Sequence, residues 1–172
     1  MNEKLGPRQA ERNFILQQGL DEPATEACPM QYSALQFQPR LVGLWVLLGI
    51  LLQSPLVFLI LSAVLWWNAL FPRGNPFDAV YNATRGTRPG ALRLRPAPGP
   101  RRFAQGMAGT FALAIGISLA RQWRTAAYVL EALLLTAVGA LVIGRFYLGS
   151  FVFHLLRGRA AFAMRTLPWA RG

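Results

Sequence analysis

Cysteine, histidine and acidic side chains are nearly missing from this chain, and each shortage closes off a class of function. A single cysteine, Cys28, excludes a disulfide within the chain and any cage of cysteines around a metal. With no second thiol there is no CxxC exchange, so Cys28, followed by Pro29, reads as a passive residue. The one histidine, His154, stands in no recognisable motif. Acids number 7 against 18 Lys and Arg, and five of them (Glu3, Glu11, Asp21, Glu22, Glu26) fall in the first 26 residues. Beyond Glu26 only Asp78 and Glu131 face 15 basic groups. Walker loops, GxGxxG, HExxH and GxSxG are all absent, so no catalytic residues and no metal site are expected and an enzyme is the minority reading.

What the chain has in quantity is apolar surface. Over 172 residues, 53% are hydrophobic and 15% charged, one domain by length but too oily for an ordinary soluble fold. The composition predicts an all-α integral membrane protein with a basic surface. Residues 1–33 are polar, hold Pro7 and Pro23, and read as a mobile tail with one short helix around Arg8 to Gln18. The first apolar run begins near Leu41, too far along for a signal peptide. Four spans are expected at 35–53, 55–71, 102–120 and 125–144, the last with an interfacial extension to 156. The first two, at 19 and 17 residues, are short against the ~20 needed to cross, so a re-entrant hairpin is the alternative there. Residues 157–172 alternate Arg with Phe162, Met164, Leu167 and Trp169, a segment suited to lying on headgroups.

Charge orients this arrangement of two helical hairpins joined by the loop 72–101. Lys4, Arg8, Arg12, Arg40, seven loop arginines and four in the tail make 15 on one side, against Arg121 and Arg124 on the other. The positive-inside rule then predicts a protein of the cytoplasmic (inner) membrane with both termini and the loop cytoplasmic. Arg73, Arg85, Arg88, Arg93, Arg95, Arg101, Arg102, Arg157 and Arg159 are the expected contacts to anionic lipid or a partner protein. Nucleic acid is not expected, because lipid headgroups lie at closer quarters. Small residues every four positions (Ala108, Ala112, Gly116, Ala120; Gly106, Thr110, Ala114, Ser118; Ala132, Thr136, Ala140, Gly144) predict close packing of the third span on the fourth. The first hairpin, rich in Leu, Val, Ile, Phe and Trp, is left to face lipid or the helices of another protein.

Three side chains carry chemical suspicion. Glu131 is the only acid within a span and is expected to pair with Arg121 or Arg124, or to reach interfacial water. Arg145, 14 residues on, lies about 21 Å away along a helix, cannot pair with it, and is expected to snorkel to the headgroups. His154, among aromatics, reads as an interfacial hydrogen-bonded histidine, with ligation of haem or a chlorophyll-type pigment as the alternative. No cofactor is required; bound lipid, pigment or haem stays open.

Asn75-Pro76-Phe77-Asp78-Ala79-Val80-Tyr81-Asn82 and Pro100-Arg101-Arg102-Phe103-Ala104-Gln105-Gly106-Met107 flank the basic loop. In these two motifs the chain resembles an uncharacterised family of bacterial four-helix membrane proteins, a domain of unknown function, over roughly Leu35 to Leu156. The resemblance implies a thiol role, since relatives carry cysteines in the last span; the corresponding Gly144 to Ser150 has none. From the residues themselves, Asp78 is expected to cap a helix start and to pair with Arg101 or Arg102, with Phe77 and Tyr81 turned back toward the helix ends. Asn75, Phe77, Asp78, Tyr81, Asn82 and Phe103 then form a folded clasp between the hairpins. The leading functional expectation is a non-catalytic accessory subunit of a larger photosynthetic or respiratory membrane complex. The alternatives are a small oligomeric transporter or channel and a membrane thiol protein.

Overall fold

Proline and capping residues set where the helices begin. In the computed structural model, which describes residues 7–22, 24, 27–87 and 92–170, α1 runs Pro7–Gln17, α2 Cys28–Leu35 and α3 Phe37–Leu52. Gln53 closes α3 in the left-handed region (φ 44°), and Ser54 then caps α4, Pro55–Leu70, by accepting a hydrogen bond from Val57 N–H. A 3₁₀ turn at Pro72–Gly74 leads to α5, Pro76–Thr84, whose cap Asn75 accepts from Phe77 N–H. The long α6 spans Gly99–Ala120, and α7 follows at Arg124–Val142. Two short helices, α8 (Leu148–Leu156) and α9 (Ala160–Arg165), complete the fold. Every regular element among the described residues is helical.

Three of these stretches are long and apolar enough to cross a membrane: Cys28–Leu52, Gly99–Ala120 and Arg124–Val142. That is the make-up of a membrane protein. The fourth apolar helix, α4, has 16 residues, about 24 Å at 1.5 Å per residue, short of a ~30 Å hydrocarbon core.

Packing in the bundle departs from the small-residue ridges. The main contact is α4 against α6, where Cβ atoms on Gly109 and Gly116 would come within 2.9 Å of Trp66 and Leu59. Ser62 Oγ donates to the Gly109 carbonyl at 2.8 Å across this seam. Close backbone approach matters here because lipid gives apolar side chains no reason to leave it. The α6–α7 contact exists, but α7 enters the core through Ala127, Glu131 and Leu134, while Ala132, Thr136 and Gly144 are exposed. Thr110 and Ala120 of α6 are exposed as well. A ridge of small residues marks where helices can approach, without saying which face finds a partner. The first hairpin is correspondingly half inside: Val42, Val46, Phe58, Leu61 and Leu65 are core.

One end of the bundle carries a folded cap. Within 1–33, read as a mobile tail, α1 is packed: Phe14 and Ile15 are buried among Tyr32, Leu35, Tyr81 and Leu94, and Gln17 and Gln18 are buried as well. Its helix fell where the sequence placed it, but its order comes from packing beyond its own neighbourhood, on α2, on Tyr81 and Leu94, and through Asn13 and Gln17 on Leu167, Tyr147 and His154. Past α7 the chain does not run straight on to 156. Ile143 to Tyr147 form a turn, with Arg145 at φ 55°, and α8 folds back onto α6. Gly149 makes this possible, since an added Cβ would sit 2.7 Å from Ala104 Cα.

Candidate functional site

The clasp motif lies at the seam between cap and bundle. Asp78, in the first turn of α5, is 6% exposed, and Arg101, in the first turn of α6, is 3% exposed. Arg101 donates to Asp78 Oδ1 at 2.9 Å and to Gln38 Oε1 of α3 at 2.6 Å. Gln38 Oε1 also accepts from Gln105 Nε2 at 3.0 Å and from Asn75 Nδ2 at 3.4 Å. Asn75 Nδ2 donates to Asp78 Oδ2 at 3.0 Å. Two charges removed from water are thus met by hydrogen bonds from three helices, which is what a buried ion pair needs to persist. Asn82 holds the return strand of the loop, its amide exchanging two hydrogen bonds with the backbone of Leu94. Phe77 enters the bundle core, Tyr81 packs edge-on to Phe37, and Phe103 meets Phe153 of α8.

This geometry corrects two of the expected lipid contacts. Arg101 is enclosed and its guanidinium is committed to Asp78 and Gln38, so it is unavailable to a headgroup. Arg102 is half-buried and donates to the Ala69 carbonyl at the end of α4, at 2.7 Å. Arg73, Arg85, Arg93, Arg95, Arg157 and Arg159 are exposed at the cap end, Arg157 and Arg159 standing over the rings of Phe153 and Phe162. Arg88 lies outside the described residues.

Glu131 and Arg145 have partners other than those the sequence suggested. Glu131, 4% exposed, takes Gln53 Nε2 at 3.2 Å from both carboxylate oxygens, not Arg121 or Arg124, which are exposed. The glutamine that ends α3 reaches Glu131 more directly than either arginine at the far turn. Arg145 does not snorkel along a helix, because α7 has ended before it; it reaches Glu11 of α1 at 3.8 Å and the ring of Tyr32.

His154 belongs to the cap. Its Nε2 lies 3.1 Å from the Gln17 carbonyl, Phe162 and Phe153 pack edge-on to its ring, and Nδ1 is buried. Gln17 also accepts from Tyr147 N–H through Oε1, at 3.0 Å, so one residue at the end of α1 holds both ends of α8. None of Gln17, Gln38 and Gln105 was singled out from sequence. The available signal was Gln105 alone, four residues after Arg101 and so on its face, since Gln17 and Gln38 each stand close to a second glutamine.

Burial holds the His154 pKa below its ordinary value, against the raising effect of the Gln17 hydrogen bond and with Arg159 adding to the lowering. The unfolded chain therefore binds a proton more readily than the folded one between the two pKa values. The cap should lose stability as pH falls below ~6.5, with no further loss once pH is below the folded value. Unfolding midpoints measured from pH 7.5 to 5 should fall in the wild type, and this slope should flatten in His154→Gln.

Residues 31–158 match the model of a family described as a domain of unknown function, DUF4395. The match takes in the clasp, the four apolar helices and α8, but not α1 or α9. No curated protein and no solved structure matches the chain.

Proposed function

The chain belongs to the DUF4395 family, and for this member we propose a non-catalytic accessory role: a small subunit that packs against a larger complex of the bacterial inner membrane. The single observation carrying this reading is an outward stripe on α3. Leu44, Leu47, Leu48, Leu51 and Leu52 are all exposed at the i, i+3, i+4, i+7, i+8 spacing of one helix face. Such a face suits lipid or another protein's helix equally. The clasp behind it supports the second, because its charges are spent on holding the subunit's own shape instead of a ligand. In this reading α4 is a fourth, short span, the two hairpins are joined through the clasp, and the cap with both termini is cytoplasmic. Arg73, Arg85, Arg93, Arg95, Arg157 and Arg159 then face anionic headgroups and the partner's rim, each contributing ~1 kcal/mol near such a surface. A photosynthetic or respiratory assembly is the kind of complex proposed.

The test is extraction of the tagged protein from its native membrane in mild detergent, followed by identification of stoichiometric partners. A cytoplasm-only reporter fused after Gly172 should be active. A preparation without partners overturns the accessory role, and an inactive reporter overturns the four-span topology.

A further inference from the structure

Beside the clasp is a small cavity of about 50 Å³ where α3, α4, α6 and α7 meet the cap. Val42, Leu65, Ala104, Val138 and Leu141 form its apolar side. Its polar side is Gln18, Gln38, Arg101, Gln105 and Tyr147. Gln105 is 4% exposed, and while its Nε2 is used on Gln38, its Oε1 has no hydrogen-bond partner. An acceptor left so in a protein interior is costly, and the interior answer to it is an ordered water. Burial pushes the Tyr147 phenol up to about 12, with Arg101 pulling it down and Asp78 pushing it up, so the phenol stays protonated within reach of both charges. The Asp78–Arg101 pair cancels its own charge, so the cavity selects for hydrogen-bonding capacity over the sign of a ligand. One water needs roughly 10–15 Å³ of such space, which leaves room for about three.

We propose that this cavity is a hydration site, a cluster of about three water molecules joining Gln105 Oε1 to Tyr147 and the Arg101 guanidinium at the edge of the membrane helices. The waters are part of the clasp. They supply the donor that Gln105 lacks and keep the ion pair solvated from the bundle side, where Gln38 alone faces it. The inference does not depend on the accessory role, since it concerns only how cap and bundle are joined.

Water-edited solid-state NMR on the full-length protein in lipid bilayers reads this directly. Magnetisation from water should reach the Gln105 and Gln38 side-chain amides and the Arg101 guanidinium at mixing times too short for transfer through protein. No such transfer overturns the proposal. Val138→Ile gives a second reading by placing an extra methylene at the apolar wall. In a wet cavity it expels water from polar partners, lowering the unfolding midpoint and abolishing the transfer to Gln105. In a dry cavity it fills space and raises the midpoint, and that result also overturns the proposal. If Val138→Ile does not fold, Gln105→Leu decides through the water transfer to the Arg101 guanidinium, its midpoint being lowered in any case by loss of the Nε2 bond to Gln38: weakened transfer supports the cluster, and unchanged transfer overturns it.

Discussion

Asp78→Ala should cost about 3–5 kcal/mol of folding stability, the range for stranding one member of a buried ion pair. The variant leaves the Arg101 guanidinium 3% exposed with Gln38 as its remaining partner, and deprives Asn75 Nδ2 of its better acceptor. Denaturant unfolding of the purified protein in mild detergent measures the loss, and limited proteolysis in the loop after α5 should show the cap opening first. Asp78→Asn keeps an oxygen for Arg101 without the charge and should fall between the two. Joining Asp78→Leu to Arg101→Met should recover much of the deficit, because the desolvated charge has gone as well. Wild-type stability in Asp78→Ala would mean that Arg101 swings out to headgroups, and the clasp as described would be wrong.

Gly149→Val should be the most damaging single change in the cap that leaves every charge in place. Even a Cβ at this position overlaps Ala104, whose Cα would lie 2.7 Å away on the backbone of α6, and a rigid helix cannot yield as a side-chain tip can. Overpacking of this kind costs about 1–3 kcal/mol and sometimes more. Here it should push α8 off α6, separating Phe153 from Phe103 and drawing the His154 ring from the Gln17 carbonyl. Gly158→Ala is the control. Gly158 has open space around it, so only its left-handed φ of 69° is penalised there. Protease cleavage after Arg157 should accelerate in Gly149→Val far more than in the control.

The apolar elements were legible because each is local. Runs predicted at 55–71, 102–120 and 125–144 fall within a few residues of α4, α6 and α7, since hydropathy and a flanking proline or arginine mark both ends. The clasp was half legible. Asn75 before Pro76 is a cap signal, and as the loop's one acid Asp78 had to choose among arginines, so Arg101 was within reach of the argument. What the sequence does not carry is which side chains meet from a distance. Gln38 stands in no sequence motif, yet it is the acceptor on which Arg101, Gln105 and Asn75 converge. Glu131 was assigned to the nearest arginines along the chain, yet its partner, Gln53, is 78 residues away. The cap was missed for the same reason: Gln17 and His154 are 137 positions apart, and nothing in either neighbourhood announces the other.

That separation governs how the protein is made. Asn13 Nδ2 donates to the Leu167 carbonyl, 154 residues later in the chain. At roughly 5–20 residues per second a ribosome needs about 8–30 s to cover that distance. Throughout the interval Phe14 and Ile15 can already meet Tyr32 and Leu35 of α2, but Asn13 and Gln17 wait for their partners in the last quarter of the chain. All four long apolar helices are made before α8 and α9, so closure of α1 onto that end of the chain is a late event. A chain stalled short of α8 would leave Asn13 and Gln17 without Leu167 and His154.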